Sequence, residues 1–137
     1  MRGALQRAGL AGRVRVASAG TWDGNAGDPA DPRAIAIAAR RGYRLDRFRA
    51  RGVTPADFTA FDWMLGMTGA HVATLEAMRP RGARTVIRRY LDLTPDLAER
   101  DIPDPYLGTD ADFVRVMDAL EHGAAGVVAF VREHLGG

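Results

Sequence analysis

Phe61-Asp62-Trp63-Met64-Leu65-Gly66-Met67, followed by Thr68 to Met78 and then by Thr85-Val86-Ile87, sets the architecture of this chain. Trp63 to Met67 is an unbroken apolar run of buried-strand length. Thr68 to Met78 reads as a helix ended by Arg79-Pro80-Arg81-Gly82, and Thr85-Val86-Ile87 as a weaker strand. Strand, helix and strand in this order predict an α/β fold with a parallel sheet and right-handed crossovers. Such sheets bind ligands at the carboxyl ends of their strands. The loops after Ser18, Met67 and Ile87 are therefore the places to look for chemistry.

Upstream of this unit, Thr54-Pro55-Ala56-Asp57 opens a short helix carrying Phe58 and Phe61. Asp31-Pro32 opens another, with Asp31 as cap and Pro32 where its missing N–H costs nothing. Ile35, Ala36, Ala38 and Ala39 give that helix an apolar side and Gly42 closes it. Val14-Arg15-Val16-Ala17-Ser18 alternates and predicts a short strand. Met1 to Ala11 reads as a helix end with Gly9 and Gly12 as stop signals. Downstream, Asp92 to Gly108 is a loop rich in proline and aspartate. Thr109 then caps the clearest helix, with Asp112 three positions on and Phe113, Val114, Met117, Leu120, Ala124, Val127, Val128, Val131 and Leu135 at helical spacing.

The 137 residues are 47% hydrophobic and 26% charged, the balance of one ordinary globular domain spanning 1–137. No apolar run approaches the roughly 18 residues of a membrane-spanning helix, and the first residues lack a secretory signal. The expectation is a cytoplasmic protein without a membrane partner. The pI of 9.6 sits beside a net charge of only +2, because all 19 basic residues are arginines, which titrate very late. They are spread along the chain, apart from Arg40-Arg41 to Arg51 and Arg79 to Arg89. Solvated surface explains this better than a nucleic-acid footprint, although an arginine-rich nucleic-acid-binding module stays a competing class.

Cysteine is absent, which excludes disulfides, thiolate metal sites and cysteine nucleophiles within this chain. His71, His122 and His134 show no ligand spacing, so no metal or cofactor is expected. Ser18, the single serine, lacks the glycine of a nucleophile elbow and reads as a hydrogen-bonding group at a strand end. Gly20, Gly24 and Gly27 match neither a phosphate loop nor a dinucleotide fingerprint. Pro103-Asp104-Pro105-Tyr106 is the most distinctive segment. Two prolines restrict the backbone around Asp104, which suits either a general acid or a loop aspartate bonding nearby N–H groups. Trp22, Trp63 and Tyr106 could line a pocket for an aromatic ring or belong to the core.

Taken in order, these pieces resemble the low molecular weight protein tyrosine phosphatases, whose relatives include thioredoxin-coupled arsenate reductases. Ser18-Ala19-Gly20-Thr21 looks like that family's Ser-Ala-Gly-Thr, and Asp28-Pro29-Ala30-Asp31-Pro32-Arg33-Ala34 like its Pro-x-Asp-Pro-Arg-Ala helix start. Arg49-Ala50-Arg51-Gly52-Val53-Thr54-Pro55 and Phe61 to Met67 match the approach to the third strand. Ile102-Pro103-Asp104-Pro105-Tyr106 resembles the family's acid loop. The likeness covers essentially the whole chain.

The resemblance implies a three-layer sandwich on a four-stranded parallel sheet. It also implies hydrolysis of a phosphotyrosine protein or a small aryl phosphate through a cysteinyl-phosphate. In the family the nucleophile sits in a Cys-x5-Arg-Ser/Thr loop between the first strand and first helix. By resemblance Asp104 is the general acid and Ser18 supports the phosphate loop. Tyr106 and Trp22 would wall the substrate ring. Arsenate reduction would need further cysteines.

The departures are as informative. Met1 aligns inside the family's first helix, so the first strand, the cysteine and the arginine are all missing. Glycine stands in the Thr21 to Gly27 loop where tryptophan is common, Leu107 replaces a second tyrosine, and Thr68 replaces an aspartate. In the family the missing strand is central, between Val14 to Ser18 and Trp63 to Met67. Without it both segments expose backbone groups, at about 1–3 kcal/mol for each one left buried and unpaired. The expectation is an N-terminally incomplete domain, inactive as written and completed by a longer native chain. A catalytically silent binding protein is the alternative, and the oligomeric state stays open.

Overall fold

The computed structural model describes residues 1–21, 24, 26–105 and 108–135. Helix α1 is Arg2–Arg7, α2 Pro32–Arg40, α3 Asp57–Ala60, α4 Gly69–Met78 and α5 Asp110–His134. Strand β1 is Trp63–Gly66 and β2 is Val86–Arg89. Short 3-10 turns follow α1 at Ala11–Arg13 and β2 at Tyr90–Leu93.

The strand-helix-strand unit forms as its sequence predicts. Thr68 caps α4, its hydroxyl accepting from the His71 N–H at 3.1 Å. β1 and β2 run parallel in the register Trp63↔Val86 to Gly66↔Arg89. Alternation along β1 sends Trp63 and Leu65 to one face and Met64 to the other. The first face packs against Leu5, Leu10, Tyr90, Leu91, Val127, Val128 and Val131, from α1, α5 and the turn after β2. The second packs against Phe58, Leu75 and Ile87. Helices thus cover both faces of a parallel sheet, which is the expected three-layer α/β arrangement.

The remaining helix starts also follow their sequences. The Asp31 carboxylate accepts the Arg33 N–H at 2.8 Å with Pro32 in the first turn of α2. Thr109 and Asp112 form a reciprocal capping box on α5. Asp57 accepts the Thr54 N–H at 2.8 Å, although α3 itself starts only at Asp57. Arg41 just past α2 pairs with Asp118 and Glu121 of α5, at 2.8 and 2.5 Å.

One sequence expectation is met only in part. Val14 is extended (φ −135°, ψ 126°), yet Val14 to Ser18 makes no ladder with any described residue. A strand needs a hydrogen-bonded neighbour, and alternating side chains alone do not supply one. The first paired residue is Gly20, bridged in parallel to Gly52. β1 is open on the matching side. Asp62 C=O accepts the Val86 N–H, so in this register Asp62, Met64 and Gly66 turn their backbone groups toward β2. Trp63 and Leu65 turn theirs the other way, where no described residue bonds them. Val14 and Val16 nevertheless pack on the same hydrophobic cluster as Trp63 and Leu65. A groove of about 410 Å³ runs beside them, lined by Leu5, Gln6, Val14, Arg15 and Val16 among others.

Candidate active site

The carboxyl ends of β1 and β2 are built from Gly66 to Gly69 and from Arg89, and the 102–108 loop is fastened to them. Ile102 N–H donates to Met67 C=O at 2.8 Å. One residue earlier, the Asp101 carboxylate accepts the Gly69 N–H and an Arg89 Nη1–H, both at 3.0 Å. That N–H belongs to the first residue of α4, where the helix leaves its amides without partners. Bonding to Gly69 first, then the Arg89 guanidinium and nearby His71, holds the Asp101 carboxyl below the ordinary carboxylate range. Arg89 also pairs with Asp92 at 3.2 Å.

The far end of the loop is held from α2. Arg33 donates from Nη1 to Gly108 C=O at 2.6 Å and from Nε and Nη2 to the Asp31 carboxylate at 3.3 and 3.2 Å. Its guanidinium carbon stands 4.5 Å over the centre of the Phe113 ring. Gly108 N–H donates to Pro105 C=O at 2.7 Å, just before the Thr109 cap. Asp31 is held below the ordinary carboxylate range, first by the Arg33 side chain.

Asp104 lies between these anchors with its side chain exposed. Ser18 is exposed too, and its hydroxyl makes no hydrogen bond among the described residues. The chain after it joins a different wall. Gly20 N–H donates to Arg51 C=O at 2.8 Å, and Val53 N–H to Gly20 C=O at 2.9 Å. Asp28 to Ala30 is tied to the same segment, with Pro29 bridged to Arg49 and the Ala50 N–H donating to Asp28 C=O at 2.8 Å. Trp22, Tyr106 and Leu107 lie outside the described residues. No hydrogen bond is seen between Ser18 and the 102–108 loop among the described residues. Sequence reading left Arg33, Arg89 and Asp101 out of the site. Arg33 sits inside a recognisable motif, but its partner Gly108 is 75 positions away.

His71 donates its N–H to Thr68 at the start of α4, and His122 and His134 lie exposed on α5. The His134 ring centre lies 4.1 Å from that of Phe130, tilted to it, and 5.3 Å from that of Trp63, edge-on. No group of His, Asp or Glu among the described residues could hold a metal ion. No helix there is long and apolar enough to cross a membrane.

Comparison with known proteins places this geometry. The family model described as low molecular weight phosphotyrosine protein phosphatase matches residues 1–135. A low molecular weight protein-tyrosine-phosphatase of Streptomyces coelicolor is 32% identical over 139 residues, spanning 99% of this chain and 84% of that protein. Low molecular weight protein-tyrosine phosphatase A of Mycobacterium tuberculosis is 31% identical over 131 residues, spanning 96% and 79%. Among solved structures, a protein tyrosine phosphatase of Entamoeba histolytica with Hepes in its active site superposes with a TM-score of 0.91. It is 28% identical, and the match covers 97% of this chain and 85% of that one. YfkJ of Bacillus subtilis superposes with a TM-score of 0.87 at 27% identity, covering 97% and 82%. The chain belongs to the low molecular weight protein tyrosine phosphatase family.

Proposed function

We propose that this chain is the larger part of a cytoplasmic enzyme that hydrolyses phosphotyrosine or small aryl phosphates, and that it turns over only when a longer native chain supplies the cysteine loop. The observation that carries this reading is the loop around Asp104, held at the carboxyl end of the parallel sheet where such folds bind ligands. In the proposed reaction a thiolate from the supplied loop attacks phosphorus and the P–O bond to the phenol breaks. Asp104, protonated, gives its proton to the departing phenolate. Water then attacks the cysteinyl-phosphate while the Asp104 carboxylate takes a proton, releasing phosphate and the thiolate. Ser18 supports the phosphate loop, and Tyr106 and Trp22 wall the substrate ring.

The unpaired edges support the same reading. A strand supplied beside β1 would bond the outward backbone groups of Trp63 and Leu65, and Val14 to Ser18, extended at Val14, has no ladder of its own among the described residues. The 137 residues form one domain that this strand completes. With no cysteine of its own, the chain as written is silent.

The deciding experiment is the intact mass of the protein from its own cells, followed by an assay on 4-nitrophenyl phosphate. A mass clearly above 14.8 kDa, with turnover that Asp104→Ala lowers by about 10²–10⁴-fold, is expected. A mass of 14.8 kDa with no turnover overturns the enzyme reading and leaves a catalytically silent phosphatase-like binding protein.

A further inference from the structure

Two latches hold the 102–108 loop, and both come from parts of the chain remote in sequence. At the front, Asp101 is pinned by the α4 N–H of Gly69 and by Arg89, and Ile102 by Met67. At the back, a single guanidinium from α2 reaches Gly108 C=O, the Asp31 carboxylate and the Phe113 ring. We propose that Arg33 is the positioning residue of the acid loop, fixing the stretch that carries Asp104 against the first turns of α2 and α5. The inference rests on the reading of Asp104 as the general acid, and it assigns Arg33 a role in that same site.

The geometry demands an arginine. Three groups in different directions are served at once: a carbonyl at 2.6 Å, both carboxylate oxygens of Asp31 and an aromatic face. A planar fork with five N–H donors can do this, whereas an ammonium acts as one point charge on a flexible stem. Asp31 also caps α2, so the Arg33 side chain is braced by the helix that bears it. Gly108 sits between the Pro105 turn and the Thr109 cap. Holding its carbonyl therefore fixes where the loop stops and α5 begins. Between the latches the prolines at 103 and 105 remove much of the remaining backbone freedom. General acid catalysis depends on position before it depends on acidity.

Amide hydrogen exchange of the 137-residue chain, followed residue by residue, tests this without turnover. Arg33→Ala is expected to raise exchange at Gly108 at least tenfold, while Ile37, Ala38 and Val127 keep their parent rates. Arg33→Lys should restore little of the loop protection, and Arg81→Ala, at an exposed arginine, should change nothing. Unchanged loop exchange in Arg33→Ala overturns the proposal. So does a rise that appears equally at Ile37 and Val127, since that is general loss of stability.

If Arg33→Ala fails to fold, Arg33→Lys and Asp101→Asn carry the test. Each should loosen its own end of the loop, Gly108 for the first and Ile102 and Gly69 for the second. In a chain bearing the cysteine loop, Arg33→Ala should lower kcat/KM more for phenyl phosphate than for 4-nitrophenyl phosphate, whose leaving group needs less protonation. Equal loss on both substrates would reduce Arg33 to a structural group. Loop exchange that rises in Arg33→Ala while the parent chain bearing the cysteine loop shows no phosphatase activity would leave the latch standing and overturn only the enzymatic reading.

Discussion

Asp57 shows how one side chain can organise several residues. It is 9% exposed. Its Oδ2 accepts the Thr54 N–H at 2.8 Å and an Arg51 Nη1–H at 3.0 Å. The Arg51 bond first, then the Thr54 N–H, hold its carboxyl below the ordinary range. A carboxyl depressed by folding adds stability that is complete above about pH 4 and is lost as pH falls through its lower native value. Asp57→Asn, which keeps an acceptor oxygen but removes the charge facing Arg51, should therefore cost about 1 kcal/mol at pH 7, and the gap to the parent should narrow toward pH 2–3 in paired thermal melts. Gly126 makes the opposite kind of demand. A Cβ there would sit 2.2 Å from Thr94 Oγ1 and 2.3 Å from Leu93 C=O, and one at Gly123 would sit 2.6 Å from the Tyr90 ring. Alanine normally favours a helix interior over glycine by about 1 kcal/mol. Here Gly126→Ala should destabilise by about 1–3 kcal/mol, because the turn after β2 must be pushed off α5. A melting temperature at or above the parent's would contradict this.

Helices and strands were legible in this sequence to the degree that their signals are local. Asp31-Pro32 and the Thr109–Asp112 box place the starts of α2 and α5, because a cap is read within four residues. Trp63 to Met67 gives β1 because a run buried on both faces is apolar throughout. Val14 to Ser18 carries an equally good strand pattern, but its state depends on a neighbour that alternation cannot report. Asp104 was marked out as a candidate by its flanking prolines and the family likeness, whereas the arginines and the aspartate that hold its loop carried no such mark. Arg33 and Gly108 meet only after two layers have packed, so no spacing rule connects them. Thr68 shows the strength of a local signal. Its hydroxyl caps α4 directly, while Asp101 takes the neighbouring Gly69 N–H. Thr68→Ala should cost about 0.5–2 kcal/mol, and amide exchange should show fraying confined to the first turn of α4. Fraying that spread to β2 would mean that Thr68 does more than cap.

The molecule as a whole joins a packed interior to an edge of β1 that no described residue pairs. Tyr90 illustrates the interior: its ring is buried, its hydroxyl donates to Leu120 C=O at 2.7 Å, and burial pushes its phenol up to about 12. At the edge, the amides of Val14 to Ser18 and of Trp63 and Leu65 should exchange at least tenfold faster than those of Met64 and Gly66. Only the latter pair donates into the β1–β2 ladder. Uniform protection along β1 would show that something already occupies that side. The close seat of Gly123 and Gly126 has a mechanical consequence for the other end of α5. Those glycines engage the Tyr90–Thr94 turn as a notch engages a detent. The 25-residue rod is therefore keyed against the turn at that point, where its two glycines let the backbones approach closely. Asp110 lies 13 residues from the notch, about 20 Å along the axis at 1.5 Å per residue. The Thr109 cap, where the acid loop ends, is thereby set at a fixed distance from the turn after β2.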